Sequence, residues 1–183
     1  MGTEAEVKGH ALQSYATPLQ RERPDVWAKL ERELAPGDRQ FFAEPIYANV
    51  WYPRRRLAAL LDAHDRVHAD ARAARRELGR LAAHHQVRFF YRLFLTFATP
   101  ALVFRRASNL WSRQNSTGSF TVMEDGATHL VGELADRDLP AQVPDVIAGW
   151  SDAIIEMLGR RPRPTEWHLA APGRWRFLVH WSE

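Results

Sequence analysis

His64 and His68 stand four residues apart with Asp65 between them, a spacing that places two imidazoles on one helix face within reach of one metal ion. The stretch lacks the glutamate of a zinc-protease string and no third ligand is identifiable, so the pair reads as half-buried imidazoles hydrogen-bonded to backbone. His84 and His85 pose the same choice. Only His85 shares a face with Leu78, Leu81 and Ala82, which leaves His84 toward solvent. Service of His64 or His85 as an axial haem ligand is disfavoured, and neither a metal nor a cofactor is expected.

No other string carries catalytic chemistry. There is no Gly-x-Ser-x-Gly elbow, no assignable Ser-His-Asp triad, and no Gly-x-Gly-x-x-Gly or Walker string. Glu124, Asp125 and Glu133 fall at a turn or on an expected exposed strand face. The chain therefore reads as noncatalytic. It has no cysteine, which excludes disulfides and thiolate sites. A net charge of +3 gives only weak attraction to polyanions. The clusters Arg54-Arg55-Arg56, Arg105-Arg106 and Arg160-Arg161 read as solvated surface, and the tryptophans fall on apolar faces, so nucleic-acid binding is disfavoured. The longest apolar run, Phe89 to Leu102, is broken by Arg92 and Pro100 and is too short to span a bilayer. With no basic and apolar leader in Met1 to Glu6, a cytoplasmic location is expected, and the arginine-rich composition points to a bacterial source.

The elements that would position these residues follow from periodicity. Residues 1–6 read as a flexible tail and 7–183 as a single domain. Helical spacing predicts a helix from Val7 that stops near Pro18, a second over Asp25 to Leu34, and a short segment around Phe41 and Phe42 that Asp38 could cap. Tyr52-Pro53 opens a helix carrying Leu57, Leu60, Leu61, His64 and His68, and Ala71 to Gln86 repeats the pattern. Phe89 to Phe97 is apolar nearly all round, as a central helix is. Thr99-Pro100 caps and starts a helix bearing Val103, Ala107, Leu110 and Trp111. Val143 to Leu158 carries a stripe of Val143, Ile147, Trp150, Ile154 and Leu158. Period-2 alternation predicts two hairpins, Ser119–Val122 with Thr128–Leu134 and Thr165–Ala171 with Arg174–Trp181. Trp167, Leu169 and Ala171 should share the covered face with Trp175, Phe177, Val179 and Trp181. The fold class is α+β, a helical layer on a four-stranded antiparallel sheet made of two hairpins separated by a helix.

Several stretches carry a family resemblance: Val7-Lys8-Gly9, Trp51-Tyr52-Pro53, Glu77-Leu78-Gly79-Arg80, and above all Tyr91 to Gly118, with Thr99-Pro100, Trp111 and Thr117-Gly118. The chain resembles a bacterial family of paralogous proteins, expanded in myxobacteria and related to the 4-vinyl reductase domain. More remote kin are the haem-nitric-oxide-binding domain and the TRAPP vesicle-tethering subunits. The resemblance implies helices and an antiparallel sheet around an apolar pocket, used by relatives for haem, a lipid chain or small-molecule sensing. The paired cysteines of the vinyl-reductase relatives are absent, and so is the Tyr-x-Ser-x-Arg signature for haem propionates.

The expectation is thus a small-molecule (apolar ligand) binding or sensory module. Its pocket between helices and sheet would be lined by Phe90, Phe94, Trp111 and Trp150, with His64, His85 or Tyr91 as polar contacts. The alternative is a protein-protein interaction module, acting on a protein partner or as a homodimer. A nucleic-acid-binding protein or a haem-based sensor is less favoured.

Overall fold

The computed structural model describes residues 4–87 and 98–183. Phe90, Tyr91 and Phe94, and the expected helix over 89–97, lie outside the described residues. In chain order the elements are β1 (Glu6–Lys8), α1 (Gly9–Glu22), α2 (Pro24–Glu33), α3 (Pro36–Ala43), β2 (Trp51–Pro53), α4 (Arg55–Arg66) and α5 (Ala71–Val87). After them come α6 (Pro100–Gln114), β3 (Ser119–Asp125), β4 (His129–Ala135), α7 (Val143–Met157), β5 (Arg161–Ala171) and β6 (Arg174–Ser182).

The two hairpins form one antiparallel sheet of order β3-β4-β6-β5. β6 pairs with both β4 and β5, so the hairpins meet along it. The covered face buries Phe120, Leu130, Leu134, Phe177, Val179 and Trp181 against Ala153, Ile154 and Ile155 of α7 and Phe104 of α6. Each large side chain so buried contributes about 1.5–3 kcal/mol. A second core fills the space among α1, α2, α4 and α5, with Leu12, Leu30, Leu60, Leu61 and Leu78. α7 belongs to both: its first turn gives Val143 and Val146 to the helical core, its later turns face the sheet.

α5 and α7 cross at van der Waals contact because glycines face each other's backbone. A Cβ on Gly79 would lie 1.9 Å from the Val146 carbonyl oxygen, and one on Gly149 would lie 1.8 Å from that of Arg76. Buried carboxylates then fix what α7 touches. Asp145 accepts from Trp167 Nε1 (2.8 Å) on β5 and pairs with Arg75 (3.2 Å) on α5. Asp152 accepts from the Thr165 hydroxyl (2.6 Å) and amide (2.9 Å).

Several expectations are corrected. Val7 lies in a strand, paired with Tyr52, and Trp51-Tyr52-Pro53 is the partner strand rather than a helix start. α1 runs through Pro18 to Glu22, because burying Pro18 and Leu19 offsets the lost backbone hydrogen bond. Asp38 lies in the first turn of α3 and pairs with Arg56 instead of capping. Leu169 is 58% exposed and Ala171 is exposed too, since the tip of the β5–β6 hairpin extends beyond the helical cover. Glu133 is buried, bridged by Arg174 (3.0 Å) and Arg176 (3.3 Å).

Arg54 is not solvated surface: it is 3% exposed and holds Asp136 at 2.7 Å. Asp136 also accepts from the Thr117 hydroxyl and the Asp138 amide (3.0 Å). Its carboxylate packs over Gly118, whose φ of +78° suits glycine and where a Cβ would meet it at 2.5 Å. Asp136→Ala leaves a buried guanidinium unpaired and lowers the unfolding free energy by about 3–5 kcal/mol in urea titrations. The double variant Arg54→Met/Asp136→Leu loses less than the single one.

Candidate functional site

Where the two cores meet, packing is incomplete. Trp111 and Ile147 touch both cores, and beside them lies a cavity of about 110 Å³ bounded by α1, α5, α6, α7 and β3. Its walls are aromatic and aliphatic: Tyr15, Phe104, Ala107, Leu110, Trp111, Phe120, Val146, Ile147 and Trp150. Gln86, Gln114 and Ser151 add the polar atoms, and no charged residue is among the described lining. Thr99 starts α6, its hydroxyl accepting from the Leu102 amide at 3.3 Å, and so sets the helix that supplies Phe104, Ala107 and Trp111.

The aromatic groups are held in place. Phe104 meets Trp150 edge to face, ring centroids 5.9 Å apart. Trp150 Nε1–H donates to Gln86 Oε1 (3.0 Å), and Trp111 Nε1–H donates to the Thr117 carbonyl (3.2 Å). One buried hydroxyl, Ser151 Oγ, has no partner among the described residues, and no described residue hydrogen-bonds the hydroxyl of the half-buried Tyr15. Burial pushes the Tyr15 phenol up to about 12, so it stays neutral.

Of the residues singled out in the sequence, Trp111 and Trp150 line this cavity. His64 and His85 are not among its described lining residues. Sequence reasoning missed Tyr15, Ser151, Gln86 and Phe104. The one available signal was Tyr15 itself, on the α1 face that carries Ala11 and Leu12.

His64 faces a separate crevice of about 480 Å³ at the other end of the helical core, floored by Leu19, Val26, Leu78 and Leu81. His64 is 2% exposed, its ring stacked on His68 with centroids 4.3 Å apart, and its Nδ1 has no partner among the described residues. His68 Nδ1–H donates to the His64 carbonyl (2.8 Å). The rings stack instead of converging, and no group of three metal-capable side chains occurs among the described residues. Burial, then the neighbouring His68, lowers the His64 pKa to about 4.

The whole arrangement is that of known solved structures. The H-NOX protein from K. algicida in the unliganded Fe(II) state matches with a TM-score of 0.68 and 10% identity over 96% of this chain and 97% of that one. The H-NOX protein from S. oneidensis in the Fe(II)NO state gives 0.69 and 10%, over 96% and 99%. An H-NOX structure from a study of haem distortion gives 0.73 and 9%, over 96% and 95%. The chain has the H-NOX fold. No protein-family model and no curated protein matches its sequence.

The H-NOX fold implies a haem, and the described residues do not fit one. About 110 Å³ lies well below the ~300–1,000 Å³ of ordinary cofactor pockets. The described lining offers no histidine, cysteine or methionine to the iron and no cation to the propionates. Tyr15 is its one ligand-capable side chain, and its raised pKa opposes the phenolate an iron would need.

The buried His64 sets a pH dependence. The unfolded imidazole takes a proton near 6.5 and the folded one only near 4. The stability it contributes is therefore complete above about 6.5 and declines as pH falls toward 4, by up to ~3 kcal/mol. Urea titrations of wild type and His64→Leu across that range should show the difference, with the slope reduced in the variant.

Proposed function

We propose that the protein is a noncatalytic sensory module that binds a small apolar molecule in the cavity between α1, α5, α6, α7 and β3. One observation carries this reading: a space walled by Phe104, Trp111 and Trp150 sits at the seam of the two cores and holds the unpartnered, buried Ser151 hydroxyl beside a Tyr15 hydroxyl that no described residue engages. Native interiors rarely leave such groups without a partner, and a ligand would supply one. The fold supports the same reading, because similar solved structures include an H-NOX protein in an Fe(II)NO ligation state. The reading assigns Phe90, Tyr91 and Phe94 to the ligand as well, on their sequence alone. It gives His64 and His85 no direct contact with the ligand. A place in the vinyl-reductase-related family and a cytoplasmic location belong to it, supported by the motifs quoted above and by the lack of cysteine.

Size and chemistry restrict the ligand. A cavity of ~150 Å³ lined by apolar side chains takes up benzene, so about 110 Å³ suits a compact molecule of that order and not a fatty acid or a tetrapyrrole. The described lining is uncharged, which selects a neutral one.

Binding to the folded state must raise the melting temperature. At tenfold excess over Kd, benzene contributes about 1.4 kcal/mol and shifts the midpoint by roughly 3–6 °C. Ala107→Phe fills the space from α6 and removes the shift. No shift with any small neutral compound, or a stoichiometric Soret band after addition of haemin, overturns the proposal.

A further inference from the structure

The polar groups at the cavity are unequal in kind. Trp111 and Trp150 spend their indole N–H groups on the Thr117 carbonyl and Gln86 Oε1. Gln86 thereby spends one acceptor lone pair on a protein donor and keeps its amide NH₂. Tyr15 lines the same space with a hydroxyl that has no partner among the described residues. Ser151 lines it too, with a buried hydroxyl that has no partner among the described residues, so each of the two hydroxyls brings an O–H donor that an occupant engages by accepting a hydrogen bond, which a hydrocarbon cannot do.

The walls specify the rest. Phe104 and Trp150 meet edge to face, and Trp111 and Phe120 line the same half-open pocket, in which a flat ring makes offset or edge contacts. We propose that the cavity binds an uncharged, single-ring heteroaromatic molecule whose ring atom accepts a hydrogen bond from the Tyr15 hydroxyl. This deepens the small-molecule reading above and rests on it. Burial keeps Tyr15 a neutral donor, its phenol raised to about 12, so the contact persists across the ordinary pH range. A charged ring is rejected because the described lining holds no counter-ion.

Benzene and pyridine have nearly the same shape and differ in one acceptor. Their dissociation constants, measured by titration calorimetry near neutral pH on wild type and Tyr15→Phe, separate the hydrogen bond from ring burial, because the solvation of each probe cancels between the two proteins. The preference for pyridine relative to benzene should fall about tenfold in Tyr15→Phe, the equivalent of one net hydrogen bond. If both rings bind and their ratio is the same in the two proteins, the assignment to Tyr15 is overturned while the small-molecule reading stands. If neither ring binds wild type, both fail. Should Tyr15→Phe not fold, nitrogen-15 pyridine on wild type decides. The bound resonance should move as a hydrogen-bonded ring nitrogen does, and an unmoved resonance overturns the proposal.

Discussion

The buried pair of Arg54 and Asp136 is the constraint on which the remaining architecture depends. Arg54 directly precedes α4 and its amide bonds the Ala5 carbonyl at 2.8 Å, so it belongs to the helical half. Asp136 directly follows β4 and also holds Thr117 and Asp138, so it belongs to the sheet half. A charge taken out of water must find its partner, and this one finds it only when β1, β2, the α6–β3 turn and the end of β4 arrive together. The pair costs desolvation and supplies register. Asn115, whose amide oxygen lies 3.4 Å from Arg54 Nη2, adds the C-terminal end of α6 to the same junction.

With that junction fixed at one end and the glycine contact of α5 with α7 at the other, the helices around the seam cannot collapse freely. Gly79 and Gly149 bring two backbones together, and the bulk of Trp111, Phe104 and Trp150 props α6 away from them. A cavity beside a close helix crossing is the geometric result. Its position between the two cores gives it a route to influence both, since α7 contributes side chains to each. The described lining is uncharged and carries the Tyr15 and Ser151 hydroxyls, so the small-molecule proposal asks for a neutral ligand that accepts a hydrogen bond.

Much of the fold was legible in the sequence, because its signals are local. Alternation in Ser119 to Leu134 and Thr165 to Trp181 gave both hairpins, and the stripe from Val143 gave α7. What was illegible depends on distant partners. Val7 satisfies a helical period as well as a strand, and only pairing with Tyr52 decides between them. Nothing local distinguishes Arg54 from Arg55 and Arg56, yet one is buried and the next is exposed. The candidate site divides the same way. Trp111 and Trp150 could be read from apolar stripes, whereas Tyr15 and Ser151 meet only because α1 and α7 pack through α5. The histidines were legible as buried or exposed, but an apolar stripe does not say which of two cavities it faces.

The central claim is that a small, uncharged ligand space exists at the seam of the two cores. Diffraction from a crystal of the protein under xenon pressure tests it most directly, because xenon enters apolar cavities of this size without needing a hydrogen bond. The account predicts one strong xenon site between Phe104, Trp111 and Trp150. A seam filled by side chains, with no xenon there, would contradict it.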